Sequence, residues 1–249
     1  MRGSLKAWAV RLAVIVTVVL LWQGAITLWA VPAYLVPTPG MVAQQAFKQW
    51  RVLSARAGFT MLSAALGLSI SFIFAAGIAL AFTASTRLAR ASMPLVIAFR
   101  SAPVPAIAPL IMLATGRGIA TSILVVTIVS FFPLYVNLLR GLSAPDGNAV
   151  ELMRVLGASS WRQLQLVRIP YALPYLFTGL RIAGGSAMLG ALLSEWLTGA
   201  PGLGALILSS GDMREIGLLW AAVILSVLIA LCVFWATSAG ERRVLAWRV

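Results

Sequence analysis

The sequence predicts an all-α membrane protein with six transmembrane helices. Three observations predict it. Hydrophobic residues make up 61% of the 249-residue chain and charged residues only 10%, where an ordinary soluble domain carries roughly 25% charged residues. The apolar residues gather into six runs, each near the ~20 residues that cross a bilayer as a helix. The 19 Lys and Arg, against 6 Asp and Glu, fall mostly in alternate connections between the runs, as the positive-inside rule requires. Strands left open in lipid would strand their backbone polar groups, so the runs are expected to be helices.

Residues 1–11 are short and basic, and the first run is 12–30. A secretory signal also begins basic and then apolar, but its apolar core is only about 7–15 residues long. This run is longer and five more follow, so it reads as an uncleaved first span. Pro32, Pro37 and Pro39 then break the helix. Val42, Ala46, Phe47 and Trp50 recur at helical spacing with Gln44, Gln45 and Lys48 between them, which predicts an interfacial amphipathic helix. The remaining runs are 59–82, 93–114, 119–139, 173–193 and 216–237. The chain therefore divides into 1–58, a spanning helix with an outer interfacial segment, and 59–249, a core of five spans.

With the N-terminus inside, Arg2, Lys6, Arg11, Arg87, Arg90, Arg140, Arg154, Arg162, Arg168, Arg242, Arg243 and Arg248 are cytoplasmic. Lys48, Arg51, Arg56, Arg117 and Arg214 are outside. Twelve against five predicts an N-in, C-in topology. The scatter of these charges suits a membrane surface and not a nucleic-acid groove. The lone Cys232 lies in an apolar run, where a small core residue is the simplest reading. Histidine is absent and the carboxylates are dispersed, which excludes a His-based triad and a histidine metal site.

Between the fourth and fifth runs the chain turns polar for about two dozen residues, NAVELMRVLGASSWRQLQLVRIP at 148–170. Asn148 and Glu151 have near capping-box spacing, and Ala149, Leu152, Met153 and Leu156 make one apolar stripe. Gly157 is a natural helix stop, with Ala158 just beyond it. Ser160 with Gln163 offers a second capping box. Pro170 suits the first turn of the next span. Two short cytoplasmic helices around a glycine are expected, within about 146–165. Their stripe can pack on the protein's own helix ends or dock on another protein.

The spacing Glu151-Leu152-Met153, three residues, Gly157, nine residues, Val167-x-Ile169-Pro170 resembles the cytoplasmic Glu-Ala-Ala signature of ABC importer permeases of the binding-protein-dependent, type I family. Leu152 and Met153 stand where that signature has alanines. Further stretches resemble the sulfonate, taurine and nitrate permeases within that family. They are Leu35-Val-Pro-Thr-Pro39, Phe99-Arg100-Ser101-Ala-Pro103-Val-Pro105, Gly179-Leu-Arg181-Ile and Ser194-Glu195-Trp with Gly202-Leu-Gly204. The resemblance implies a coupling helix at 148–165 that fits a groove on an ATP-hydrolysing subunit. It implies a homodimer, two cytoplasmic ATPase subunits holding ATP and Mg, an extracytoplasmic solute-binding protein, and residence in a bacterial inner membrane. The implied solute is a small oxyanion such as an aliphatic sulfonate, taurine or nitrate; relatives also carry a thiamine-pyrimidine precursor.

A P-loop needs G-x-x-x-x-G-K-[ST]. The two lysines, Lys6 and Lys48, precede Ala and Gln, so no P-loop of this chain drives transport and no cofactor is expected on it. A self-sufficient secondary transporter would need inverted repeats or a titratable relay, and neither is visible. Candidate pathway residues are Arg100, Ser101, Pro103, Arg181 and Glu195. Arg100 lies in an apolar run ahead of Pro103 and Pro105, where it can attract an anion or can snorkel or pair with Glu195. Arg181 and Glu195, fourteen residues apart on one span, stand ~21 Å apart at ~1.5 Å per residue and cannot pair within it. The Gly199–Gly204 turn is read as a re-entrant element at an outer gate, against a plain surface turn.

Overall fold

The computed structural model describes residues 2–83, 91, 94, 96–98, 103–145 and 147–246, without the side chains of residues 2–9, 11 and 12. Every regular element among them is helical. Helix α1 (Arg2–Leu28) opens the chain. Thr38 then caps α2 (Pro39–Lys48): its Oγ1 accepts from the Met41 N–H at 3.3 Å, and Pro39 supplies the fixed φ of the first turn. Val42 is buried and Ala46 half-buried, so α2 is amphipathic, but Phe47, expected on their stripe, is 85% exposed on the other side of the helix.

Trp50 does not belong to that helix. The Gln49 N–H closes α2 on the Gln45 carbonyl, and Trp50 opens α3 (Trp50–Thr83), which runs through residue 58 without a break. Apolar periodicity continued across the cap, which is why the sequence read as one segment. The third run also differs from expectation. Pro103 is extended (φ −71°, ψ 114°), and the helix that follows, α4 (Val104–Thr115), has only 12 residues. Two prolines one residue apart remove two backbone donors and force the start at Val104. At ~1.5 Å per residue α4 is ~18 Å long, too short to cross ~30 Å of hydrocarbon by itself.

Next come α5 (Ile119–Ser143), α6 (Gly147–Val155) and α7 (Ser160–Gln163). A π-helical turn (Leu164–Arg168) joins α7 to α8 (Ile169–Thr198). Last are α9 (Leu203–Asp212) and α10 (Ile216–Val244). Among the described residues, four helical stretches are long and apolar enough to cross a membrane: α3, α5, the continuous run 160–198, and α10. The apolar part of α1 (Ala13–Leu28) and α4 are shorter.

Helix α5 is the centre of the bundle. Half of its most apolar window is buried, against 22% for α3 and α10. It packs between α3 and α8, and small residues set the spacing. A Cβ on Gly67 of α3 would stand 2.6 Å from the Val126 Cβ of α5, and one on Gly141 of α5 would stand 2.8 Å from the Ala172 Cα of α8. The Ala183, Ala187 and Ala191 stripe of α8 is buried within the chain itself. Cys232, expected in a core, is exposed on α10, and nothing among the described residues covers that face.

Candidate functional site

Two features stand out, an elbow at one end of the bundle and a cleft along α5. The elbow begins with α6, which buries none of its residues. Leu152, Val155 and Leu156 are 59%, 79% and 70% exposed, while Ala149 and Met153 are half-buried. Glu151 is exposed and forms no ion pair with a described cation. Gly157 ends the helix at φ +71°, in the left-handed region that costs a Cβ-bearing residue about 1 kcal/mol or more. The Ala158 N–H reaches back to the Met153 carbonyl at 2.9 Å, the long bond of a Schellman turn.

Neither expected cap residue serves as the cap. Asn148 lies inside the first turn of α6, which starts at Gly147. The cap of α7 is Ser159, whose Oγ accepts from the Arg162 N–H at 3.4 Å, and Ser160 is the first helical residue. Two adjacent serines left the sequence ambiguous here. Nor does α7 stand alone as a second short helix. The Ile169 N–H bonds Leu164 O across a π-turn, and Pro170, lacking a donor, falls in the first turn of α8. Arg168 anchors the elbow to the bundle by donating to the Leu142 carbonyl at the end of α5, 3.0 Å away.

The cleft has a volume of about 470 Å3 and lies beside α5. Ile128, Phe132, Val136 and Arg140 form one stripe of that helix at four-residue spacing; Val129, Pro133 and Asn137 form the stripe beside it. Val104 of α4 and Ile182 and Ser186 of α8 complete the lining. No Asp or Glu faces it among the described residues. Asn137 Nδ2 donates to the Pro133 carbonyl at 2.7 Å, which fixes the carboxamide.

Of the expected pathway residues, Arg100 and Ser101 lie outside the described residues. Pro103 precedes Val104 at the cleft margin. Arg181 is turned away from it, pairing with Glu241 of α10 and donating to Thr178 Oγ1 at 3.3 Å. Glu195 is fully buried at the far end of α8. Its Oε2 accepts from Thr60 Oγ1 of α3 at 3.0 Å and from the Gly204 N–H at 2.9 Å, while Thr60 Oγ1 accepts from the Leu203 N–H at 2.9 Å. Carboxylate and hydroxyl together therefore cap the N-terminus of α9, where the helix dipole favours an anion. The segment after Gly199 thus leads into a ten-residue helix that buries Leu203, Gly204, Leu206 and Ser210 and is held by Glu195, and is not a plain surface turn. Asn137, Arg140 and Ser186 were missed as cleft residues. Arg140 carried the only visible signal, a cation three residues beyond an intramembrane amide.

A bundle of small-residue-packed apolar helices with a polar elbow and a side cleft is a solute-transport architecture in a membrane. Residues 73–246 match the family described as "Binding-protein-dependent transport system inner membrane component". The chain belongs to this family, and is a multi-pass inner-membrane protein. It is 32% identical to a probable ABC transporter permease protein of Haemophilus influenzae, over 90% of this chain and 92% of that one. It is 32% identical to the riboflavin transport system permease protein RibX of Chloroflexus aurantiacus, over 91% and 85% of the two chains. Relatives at 30%, 28% and 27% identity carry the names of a formylaminopyrimidine permease (Halalkalibacterium halodurans), a putative aliphatic sulfonates permease (Bacillus subtilis) and a taurine permease (Escherichia coli). The fold is similar to a chain of the inward-facing MetNI methionine ABC transporter, with a TM-score of 0.67 and 20% identity over 79% of this chain and 98% of that one.

Proposed function

We propose that this chain is the membrane-spanning half of an ATP-driven importer. Two copies enclose a pathway. Two cytoplasmic subunits hold ATP and Mg and seat one elbow each, and an extracytoplasmic binding protein delivers the solute. The chain crosses six times with both ends inside, α4 being part of the third crossing. The observation that carries this reading is α6. A helix with no fully buried residue that exposes Leu152 and Val155, followed by an exposed Leu156 on a fixed glycine stop, is shaped for a groove on another protein. Asn148, Glu151, Met153, Gly157, Ala158, Ser160 and Pro170 set its shape or its contacts.

ATP closing the partner subunits draws the two elbows together and changes which end of the pathway is open. The solute is a small oxyanion such as an aliphatic sulfonate, taurine or nitrate, which the sulfonate and taurine relatives support. A planar nitrogen heterocycle is the second reading, favoured by the higher identity to the riboflavin and formylaminopyrimidine permeases. The test is uptake into vesicles holding the full complex of chain, ATPase and binding protein, with taurine and riboflavin as probes. ATP-dependent accumulation of either is expected. Uptake by the chain alone, without nucleotide, would overturn the importer reading in favour of a secondary transporter.

A further inference from the structure

Arg140 is the one charged group among the described residues of the cleft lining. It is exposed and makes no ion pair with a described carboxylate. Its place in the last turn of α5 already supplies negative carbonyl ends nearby, yet its residue faces the cleft. Asn137 lies one turn back, with its Cβ about 5–6 Å from that of Arg140. One of its amide hydrogens is held by the Pro133 carbonyl. The second hydrogen and the amide oxygen have no partner among the described residues. Gly179 of α8 makes this arrangement possible: a Cβ there would come within 3.1 Å of the Asn137 Cβ, so α8 backs directly onto the amide-bearing turn. Around these donors the walls are apolar, from Phe132, Ile128 and Ile182.

We propose that Arg140 and Asn137 form an anion-selecting site in the cleft, which takes a small organic anion with its charged group on Arg140 and its uncharged part against Phe132. This deepens the transport function and rests on the reading of the cleft as the solute pathway. The guanidinium offers a planar fork that matches a carboxylate or sulfonate with two parallel bonds. The Asn137 amide adds one fixed donor. With no carboxylate among the described lining residues, Arg140 sets the sign of the cleft's formal charge, which repels cations and draws anions in.

The test uses the full-length chain in vesicles with Cys232→Ser, because Cys232 is exposed and would itself react. Single cysteines are placed at Asn137→Cys on α5 and, across the cleft, at Ile182→Cys on α8. Each is treated with a sulfonate-bearing and a trimethylammonium-bearing methanethiosulfonate, and the rate ratio is compared with that of a free small thiol. One unit charge at ~6 Å in water speeds the anion and slows the cation by roughly threefold each, so a ratio about tenfold above the free thiol is expected at position 137. A smaller excess is expected at 182. Arg140→Gln should return both ratios to the free-thiol value. The proposal is overturned if the ratio at both positions already equals that value, if the excess survives Arg140→Gln, or if neither cysteine reacts. The transport reading is judged separately by ATP-dependent uptake: it survives a flat charge ratio, and it falls when no ATP-dependent uptake occurs whatever the ratio.

Discussion

Glu195 shows how much one side chain can organise. It lies fully buried, and its carboxylate joins α3, α8 and α9 through Thr60 and the Gly204 N–H. Hydrogen bonds to a charged group contribute about 1.5–3 kcal/mol each, and losing the acceptor leaves buried donors unpaired. Glu195→Ala should therefore lower unfolding stability by at least about 2 kcal/mol, read as a lower thermal midpoint in detergent. Glu195→Gln, which keeps an acceptor oxygen, should lose less. Equal midpoints for both variants and the native chain would show that the cap carries no weight. Gly202→Ala should fail in the same way, because a Cβ at that position would collide with the carboxylate. The sequence showed Glu195 as a lone acid in an apolar span. It could not show Thr60, 135 residues away, since only the packing of α3 against α8 brings the two together. The same blindness hid the Arg181–Glu241 pair, in which both partners were visible and their proximity was not.

At the level of elements, glycine and proline were the most legible signals, and apolar periodicity was the least reliable at boundaries. Gly157 stops α6 where its spacing predicted, and Pro170 falls in the first turn of α8. Adjacent caps blurred the rest: Ser159 and Ser160 are equally good cap residues, and only the backbone chooses. Trp50 was assigned to the wrong helix because Gln49 is a cap without a glycine. Gly157→Val forces a branched side chain into positive φ. It should insert normally yet uncouple ATP hydrolysis by the proposed ATPase subunit from uptake, measured as ATP consumed per solute accumulated. An unchanged ratio would remove the coupling role from this turn. Leu152→Asp should weaken association with the proposed ATPase subunit by at least tenfold in a pull-down or titration, since it places a charge on an exposed apolar face.

For the molecule as a whole, the α-helical membrane class was readable from composition and run length alone, whereas the mutual arrangement of helices was not. The central place of α5 depends on Gly67, Gly141 and Gly179 meeting particular partners, and a list of small residues does not say which will meet. Orientation is open to direct measurement in intact cells with Cys232→Ser. Phe47→Cys should react with a membrane-impermeant thiol reagent from outside, and Val155→Cys only after lysis. The reverse pattern would invert the topology. Stretching from Ser160 to Thr198, the continuous run of 39 residues is on the order of 58 Å long at ~1.5 Å per residue. Its irregular points, the π-turn, Pro170 and Pro174, all sit near the elbow end, and no proline interrupts it from there to the Glu195 cap. The rod is thus jointed like an ankle. Small rocking of the foot is absorbed in the first turns, and a sustained sideways push carries the stiff shaft, with α9 fastened to its head, as one piece.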